Sequence, residues 1–320
     1  MCMRHTALEW LGFLGLILAM LALDLGVLRR RDHAVRPGEA LGWSAAWVSL
    51  ALAFGGYVWA RFGSEAGLEY LTGYLIEKSL SVDNLLVFVV VFGALGIPAL
   101  HQHRVLFWGI LSALVLRGAM IAAGAALLDR LHGVIYAFSG LLILTGAKLL
   151  LARGAVARPE ESAAFRLLRR AIPATPGLEG RAFLVRRGGA WLATPLFLAL
   201  VLIEVSDVLF AVDSIPAVFA VTRDPYVVFT SNVFAILGLR SLYFLLAGWV
   251  VRFTYLRPSL ALVLVFVGVK MALSDVVSLH AAASLGVTAA ILGAGVVASL
   301  VRSRRAAPPA DAPPRQREAT

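Results

Sequence analysis

Apolar stretches long enough to cross a bilayer recur from one end of this chain to the other, and they leave little choice of fold. A span needs about 20 apolar residues. Hydrocarbon offers no water to the backbone, so each span must satisfy its own N–H and C=O groups, as an α-helix does. Nine runs are read, at roughly 8–28, 40–60, 68–95, 105–128, 132–151, 195–221, 226–250, 258–276 and 280–301. Of the 320 residues 60% are hydrophobic and 15% charged, and mean hydropathy is +0.85, more apolar side chain than a soluble domain of this size hides. The expectation is an all-α polytopic membrane protein. The first run contains Asp24 and leads into RRRD rather than a small-residue cleavage site, so it is read as a span and not as a signal peptide.

The charges set the expected orientation. With the N-terminus outside, the inner segments 29–39, 96–104, 152–194, 251–257 and 302–320 hold 20 Lys and Arg, against 4 outside (Arg4, Arg61, Arg130 and Arg223). The net charge of +10 therefore reflects topology and contact with anionic lipid, and no nucleic-acid partner is expected. Cys2 is the only cysteine, which excludes disulfide frameworks and thiolate metal sites within the chain. Segment 152–194 is read as an Arg-rich cytoplasmic loop whose AAFRLLRRAI piece lies on the inner membrane surface. Residues 302–320 have the composition of a disordered cytoplasmic tail.

A repeat lies within the spans. EKSLSVDNLLVFVV (77–90) aligns without a gap on DVLFAVDSIPAVFA (207–220), setting Glu77 on Asp207, Asp83 on Asp213 and Asn84 on Ser214. Further on, LRGAMI sets Arg117 on Arg240 of LRSLYF, and GAKLLL sets Lys148 on Lys270 of GVKMAL. Three spans per copy put the second copy across the membrane in the opposite sense, an inverted repeat of the kind found in secondary transporters. The expected organisation is spans one and two (1–67), a first three-helix unit (68–151), the loop (152–194), an inverted second unit (195–276), span nine (277–301) and the tail.

Eleven ionisable residues fall inside spans and away from the outermost two residues at each end: Asp24, Glu77, Lys78, Asp83, Arg117, Lys148, Glu204, Asp207, Asp213, Arg240 and Lys270. Each costs roughly 3 kcal/mol at a helix centre. The uncompensated total, on the order of 30 kcal/mol, exceeds the net stability of a typical protein. They must therefore be paired, protonated or bound to an ion. Glu204 and Asp207 share a helix face, as do Glu77 with Asn84 and Asp207 with Ser214, whereas Asp83 and Asp213 point elsewhere on regular helices. Pro216 denies an N–H to the carbonyl of Val212 and is expected to let the helix open beside Asp213.

Carboxylates with Asn84 and Ser214, and no thiol or midplane histidine, form a hard oxygen set suited to Mn²⁺, Mg²⁺ or Ca²⁺. The residues alone reach a divalent-cation or proton path. Arg117 and Arg240 are read as charge-pairing groups, as are Lys148 and Lys270, for which snorkelling from the helix ends is the alternative. Asp24 is read as a helix-end residue, and His101 and His103 as loop residues.

YLTGYLIEKSLSVDNLLVFVVVF, HQHRVLFWGILSALVLRGAMI, FAVDSIPAVFAVTRDPYVVFTSNVFAILGLRSLYFLLAG and LALVLVFVGVKM resemble the TerC family of bacterial integral membrane proteins, over roughly residues 40–300. The resemblance implies metal-ion homeostasis at the bacterial inner membrane. The family is named for tellurium resistance, its Alx-type members are associated with manganese export, and it is grouped with the LysE-type exporters. Glu77, Asp83, Glu204, Asp207 and Asp213 match its intramembrane acids, and Asn84, Ser214 and Asn232 match polar positions of its motifs. The expected function is export of a divalent cation, Mn²⁺ first, by alternating access through a midplane site of Glu77, Asp83, Asn84, Glu204, Asp207, Asp213 and Ser214, with proton exchange as a hypothesis. No permanently bound cofactor and no enzymatic activity are expected, and oligomeric state is left open. The rival readings are a non-transporting component of a tellurite or metal stress system, and an intramembrane aspartyl protease. The latter lacks its Gly-x-Gly-Asp, because Asp213 follows Phe-Ala-Val.

Overall fold

The computed structural model describes residues 5–29, 37–130, 133–151, 172–187, 189–246, 255–273, 276 and 280–306. The protein is mostly helical. Its helices are α1 (Ala7–Arg29), α2 (Pro37–Phe62), α3 (Ser64–Ala94), α4 (Ala99–Arg130), α5 (Val134–Leu151), α6 (Pro195–Phe219), α7 (Pro225–Leu237), α8 (Leu239–Leu246), α9 (Leu256–Ala272) and α10 (Ala281–Ala306). Among the described residues six stretches combine the length and apolarity needed to cross a membrane, in α2, α4, α5, α6, α7 with α8, and α10. Ala7–Leu23 and Pro258–Ala272 are shorter apolar helices. The 31 residues of α3 reach roughly 46 Å at 1.5 Å per residue, long enough to cross despite their charges.

Several boundaries differ from the sequence expectation. The seventh run, 226–250, is broken at Gly238 rather than continuous. The cause lies on α3: the Lys78 ammonium donates to the Ala235 carbonyl at 3.2 Å, the acceptor that Leu239 N–H would use in an unbroken helix. A Cβ on Gly238 would lie 2.8 Å from Lys78 Nζ. The expected opening at Pro216 is absent, and α6 stays helical to Phe219. Pro216 lies in the last turn, so one backbone bond is lost, and the end closes through Ala220 N–H to the Pro216 carbonyl at 2.9 Å. α3 starts at Ser64 rather than 68, because Gly63 at φ +97° turns the chain directly out of α2.

The loop before α6 is not wholly irregular: β1 (Leu184–Arg187) and β2 (Ala190–Ala193) pair antiparallel, Leu184 opposite Ala193. Arg104 of α4 ties this hairpin down through the Arg181 carbonyl and lies over the Phe183 ring. Most of AAFRLLRRAI (163–171) lies outside the described residues, as do residues 307–320 and the side chains of Asp24 and Asp83. α10 continues to Ala306, past the expected start of the tail at 302.

α3 and α6 pack on each other at the centre; α3 also packs on α7, as α6 does on α4. The most extensive helix pair is α5 with α9. It closes through two glycines. A Cβ on Gly146 would lie 2.7 Å from the Ala261 carbonyl oxygen and 2.7 Å from Val265, and one on Gly268 would lie 3.0 Å from the Ser139 carbonyl and 2.9 Å from Ile143. Small residues of this kind let helix backbones touch in a membrane. The contact is reciprocal: Gly268, Ala261 and Val265 each stand 122 residues after Gly146, Ser139 and Ile143.

Candidate functional site

The crossing of α3 and α6 brings charge into the centre of the molecule. Glu77 and Asn84 lie seven residues apart on α3, and Asp207 and Ser214 lie seven apart on α6, so each pair shares one face. All four side chains are buried. Between the helices stands Arg117 of α4, only 1% exposed. Its guanidinium forks across Asp207, Nε donating to Oδ2 at 3.1 Å and Nη2 to Oδ1 at 2.6 Å. Nη1 donates to Glu77 Oε1 and, at 3.2 Å, to Asn232 Oδ1 of α7. Asn84 Nδ2 approaches Asp207 Oδ1 at 3.4 Å. A buried ion pair is tolerated only when hydrogen bonds repay the desolvation of both charges, and the planar fork of arginine suits that task better than lysine.

The cluster is not saturated. Glu77 Oε2, Asn84 Oδ1, Ser214 Oγ and Asn232 Nδ2 are buried with no hydrogen-bond partner. Three of these are oxygens. Two carboxylates against one guanidinium also leave one formal negative charge. An orphaned buried oxygen costs about 1–3 kcal/mol and calls for a water or an ion.

The other acids of α6 face different neighbours. Glu204 accepts from Ser112 Oγ of α4 at 2.6 Å, and Asp213 accepts from Thr145 Oγ1 of α5 at 3.1 Å. Both are half-buried. Nine residues apart, they fall on roughly opposite sides of α6, with Asp207 between them on the buried face. Among the described residues no three His, Cys, Asp or Glu side chains converge on a point that would hold a metal ion. Glu77 and Asp207 are drawn to Arg117, and Glu204 and Asp213 to flanking hydroxyls. Glu204 Oε2 is a further buried oxygen without a partner.

The remaining sequence-named cations are distributed. Lys270 donates to Ser284 Oγ of α10 at 3.2 Å, Lys148 is exposed one turn beyond Thr145, and Arg240 is half-buried on α8. Ser112 and Thr145 were not singled out from the sequence, and a hydroxyl in an apolar helix gives little signal, because it commonly bonds its own backbone. The single hydroxyl hydrogen of Ser112 has the Trp108 carbonyl, 2.7 Å away, as an alternative acceptor to Glu204. The contact of Lys78 with the end of α7 likewise had no local signal.

Residues 62–307 match the profile described as "Integral membrane protein TerC family". The chain belongs to the TerC family. Among its TerC relatives, "Uncharacterized membrane protein STKORF319" of Myxococcus xanthus is 61% identical over 303 residues, 95% of each chain. "Putative membrane-bound redox modulator Alx" of Escherichia coli (strain K12) is 45% identical over 296 residues, 90% of this chain and 92% of that protein. A protein of Rickettsia bellii titled "Uncharacterized membrane protein" is 39% identical over 295 residues. No solved structure matches this TerC-family chain.

Proposed function

We propose that this TerC-family protein is a transporter of the bacterial inner membrane that exports a divalent metal cation, Mn²⁺ first, through the α3/α6 site. The observation that carries the reading is the set of orphaned buried oxygens, Glu77 Oε2, Asn84 Oδ1 and Ser214 Oγ, beside a cluster with one unbalanced negative charge. Hard oxygens with residual negative charge favour Mn²⁺, Mg²⁺ or Ca²⁺ over softer metals. Glu204 and Asp213, half-buried on the two flanks of α6, serve as relay positions on the way to and from the centre, and Asp83 is assigned to the same path by its place in the repeat. The site transports and does no covalent chemistry.

The mechanism is alternating access between two inverted three-helix units, α3–α5 and α6–α9, within nine crossings. The reciprocal Gly146 and Gly268 contacts support this two-fold relation, as do the matching α3/α7 and α4/α6 packings. Proton exchange is the coupling proposed, and transport indifferent to an imposed pH gradient would remove it. For the relatives titled redox modulators, metal balance offers a route to redox effects without thiol chemistry, and this chain holds a single cysteine.

One observation favours a second reading. Arg117 already occupies three carboxylate oxygens, as in a static strut, which suits a non-transporting membrane component. Uptake of radioactive manganese into everted inner-membrane vesicles separates the two. Wild type should accumulate the metal and Asp213→Asn, outside the ion cluster, should not. Vesicles no different from empty ones would sink the transport reading, and a variant with wild-type uptake would remove Asp213 from the path.

A further inference from the structure

Arg117 stands where a cation bound at the α3/α6 crossing would stand. Of the four carboxylate oxygens of Glu77 and Asp207, Glu77 Oε1 and both oxygens of Asp207 accept from its guanidinium, and only Glu77 Oε2 is open. A divalent cation that used both carboxylates would have to take oxygens the guanidinium now holds. We infer that Arg117 is a tethered counter-cation, which holds Glu77 and Asp207 in the empty carrier and gives way when the transported divalent cation binds them.

Charge counting supports mutual exclusion. With Arg117 in place, the empty pair of carboxylates carries a net charge of minus one; without it the charge is minus two. A divalent cation added on top of Arg117 gives plus one, whereas a cation that replaces it gives zero. In a site this buried, the arrangements with least net charge are the ones favoured. The return of the empty carrier is therefore the step that needs the guanidinium, and the loaded step is the one that does not.

The surroundings provide for the exchange. Asn232 Oδ1 also accepts from Nη1 at 3.2 Å, so the guanidinium keeps an uncharged acceptor on α7 when its carboxylates are taken. The second polar atom of that side chain, Asn232 Nδ2, is buried and unpartnered, which leaves the amide free to turn with the arginine. Lysine would supply the charge at this position but not a fork that spans two carboxylates at once.

This inference rests on the transport reading above, and its test keeps the two apart. Purified full-length protein in liposomes is assayed in two modes, net movement of radioactive manganese down its gradient and exchange with manganese present on both sides. Arg117→Gln should lower net movement about tenfold or more, because a bare carboxylate pair is costly to carry back. Exchange should stay near wild type, and manganese should bind the variant more tightly, a competitor having been removed. Arg117→Lys should recover part of the net movement.

If Arg117→Gln loses exchange in step with net movement, binds manganese more weakly, or leaves net movement unchanged, Arg117 is a fixed strut and the inference is overturned. Should that variant fail to fold, Arg117→Lys decides: reduced net movement with exchange retained supports the inference, and equal loss of both overturns it. Wild type that moves no manganese in either mode defeats the transport reading itself, and the inference falls with it.

Discussion

Gly146 of α5 lies so close to the backbone of α9 that an added Cβ would come within 2.7 Å of the Ala261 carbonyl oxygen. Gly268 of α9, 122 residues further along the chain, would meet the Ser139 carbonyl of α5 at 3.0 Å. A backbone atom cannot step aside as a side chain does, so a methyl group here must separate the two helices. Gly146→Ala should destabilise the protein by about 1–3 kcal/mol, and Gly268→Ala by somewhat less. Gly140, on the same helix with nothing within 4 Å of its added Cβ, is the control. Gly140→Ala should be neutral or slightly stabilising, because alanine is the better helix former. Thermal unfolding in detergent would check the order, and equal midpoints for Gly146→Ala and Gly140→Ala would contradict the close packing.

The two acids at the centre should not be equivalent. Asp207 takes two hydrogen bonds from Arg117 and is approached by Asn84, while Glu77 takes one and keeps an open oxygen. Asp207→Ala leaves more of the guanidinium without its partner and should cost about 3–5 kcal/mol, the range for breaking a buried pair. Glu77→Gln keeps an acceptor for Nη1 and should cost much less while still impairing transport. Unfolding midpoints and vesicle uptake measured together would separate the two effects. A Glu77→Gln protein with full uptake would show that its open oxygen is not used.

At the far end of α7, Asp224 has two tasks. Its carboxylate caps the helix, accepting from the N–H of Tyr226 at 2.9 Å, and it meets His5 Nε2 at 2.8 Å, where the imidazole stacks on the Tyr226 ring. Asp224→Ala loses both and should cost about 1–2 kcal/mol. Asp224→Asn keeps the cap and should cost less. A double-mutant cycle with His5→Ala isolates the contact between the segment preceding α1 and the start of α7, with a coupling of about 0.5–3 kcal/mol expected. No coupling would mean that His5 rests there through its ring alone.

That the chain is built of long apolar helices was legible in the sequence because hydropathy shows it, but helix ends were not: Gly63 and Pro98 mark turns, and the runs read from 68 and 105 start well past them. Glu77, Asp207 and Arg117 stood out because an uncompensated charge in a span is too costly to be incidental. That one guanidinium would serve both Glu77 and Asp207 was not legible: the sequence offers two arginines in similar contexts, Arg117 and Arg240, and only the packing of α4 against α6 brings Arg117 to the centre. The break at Gly238 was hidden for a similar reason. Its cause, Lys78, lies 160 residues away in sequence, and VFAILGLRSLYF reads locally as one helix.

Ser112 and Thr145 are the partners that sequence reasoning passed over, and they offer a graded test of the flanking acids. Ser112 Oγ reaches Glu204 at 2.6 Å and Thr145 Oγ1 reaches Asp213 at 3.1 Å, each donating a hydroxyl hydrogen to a carboxylate that lies in a half-buried position. A hydrogen bond to a charged group contributes about 1.5–3 kcal/mol. Ser112→Ala should therefore change manganese uptake by roughly tenfold. Thr145→Val, which keeps the shape of the side chain and loses a longer bond, should change it less. Overall stability should fall by no more than about 1.5–3 kcal/mol in either variant, less than breaking the Arg117 pair costs, because neither hydroxyl belongs to that cluster. If Ser112→Ala and Thr145→Val both transport at the wild-type rate, Glu204 and Asp213 are merely solvated at the edges of α6, and the path runs through the central pair without them.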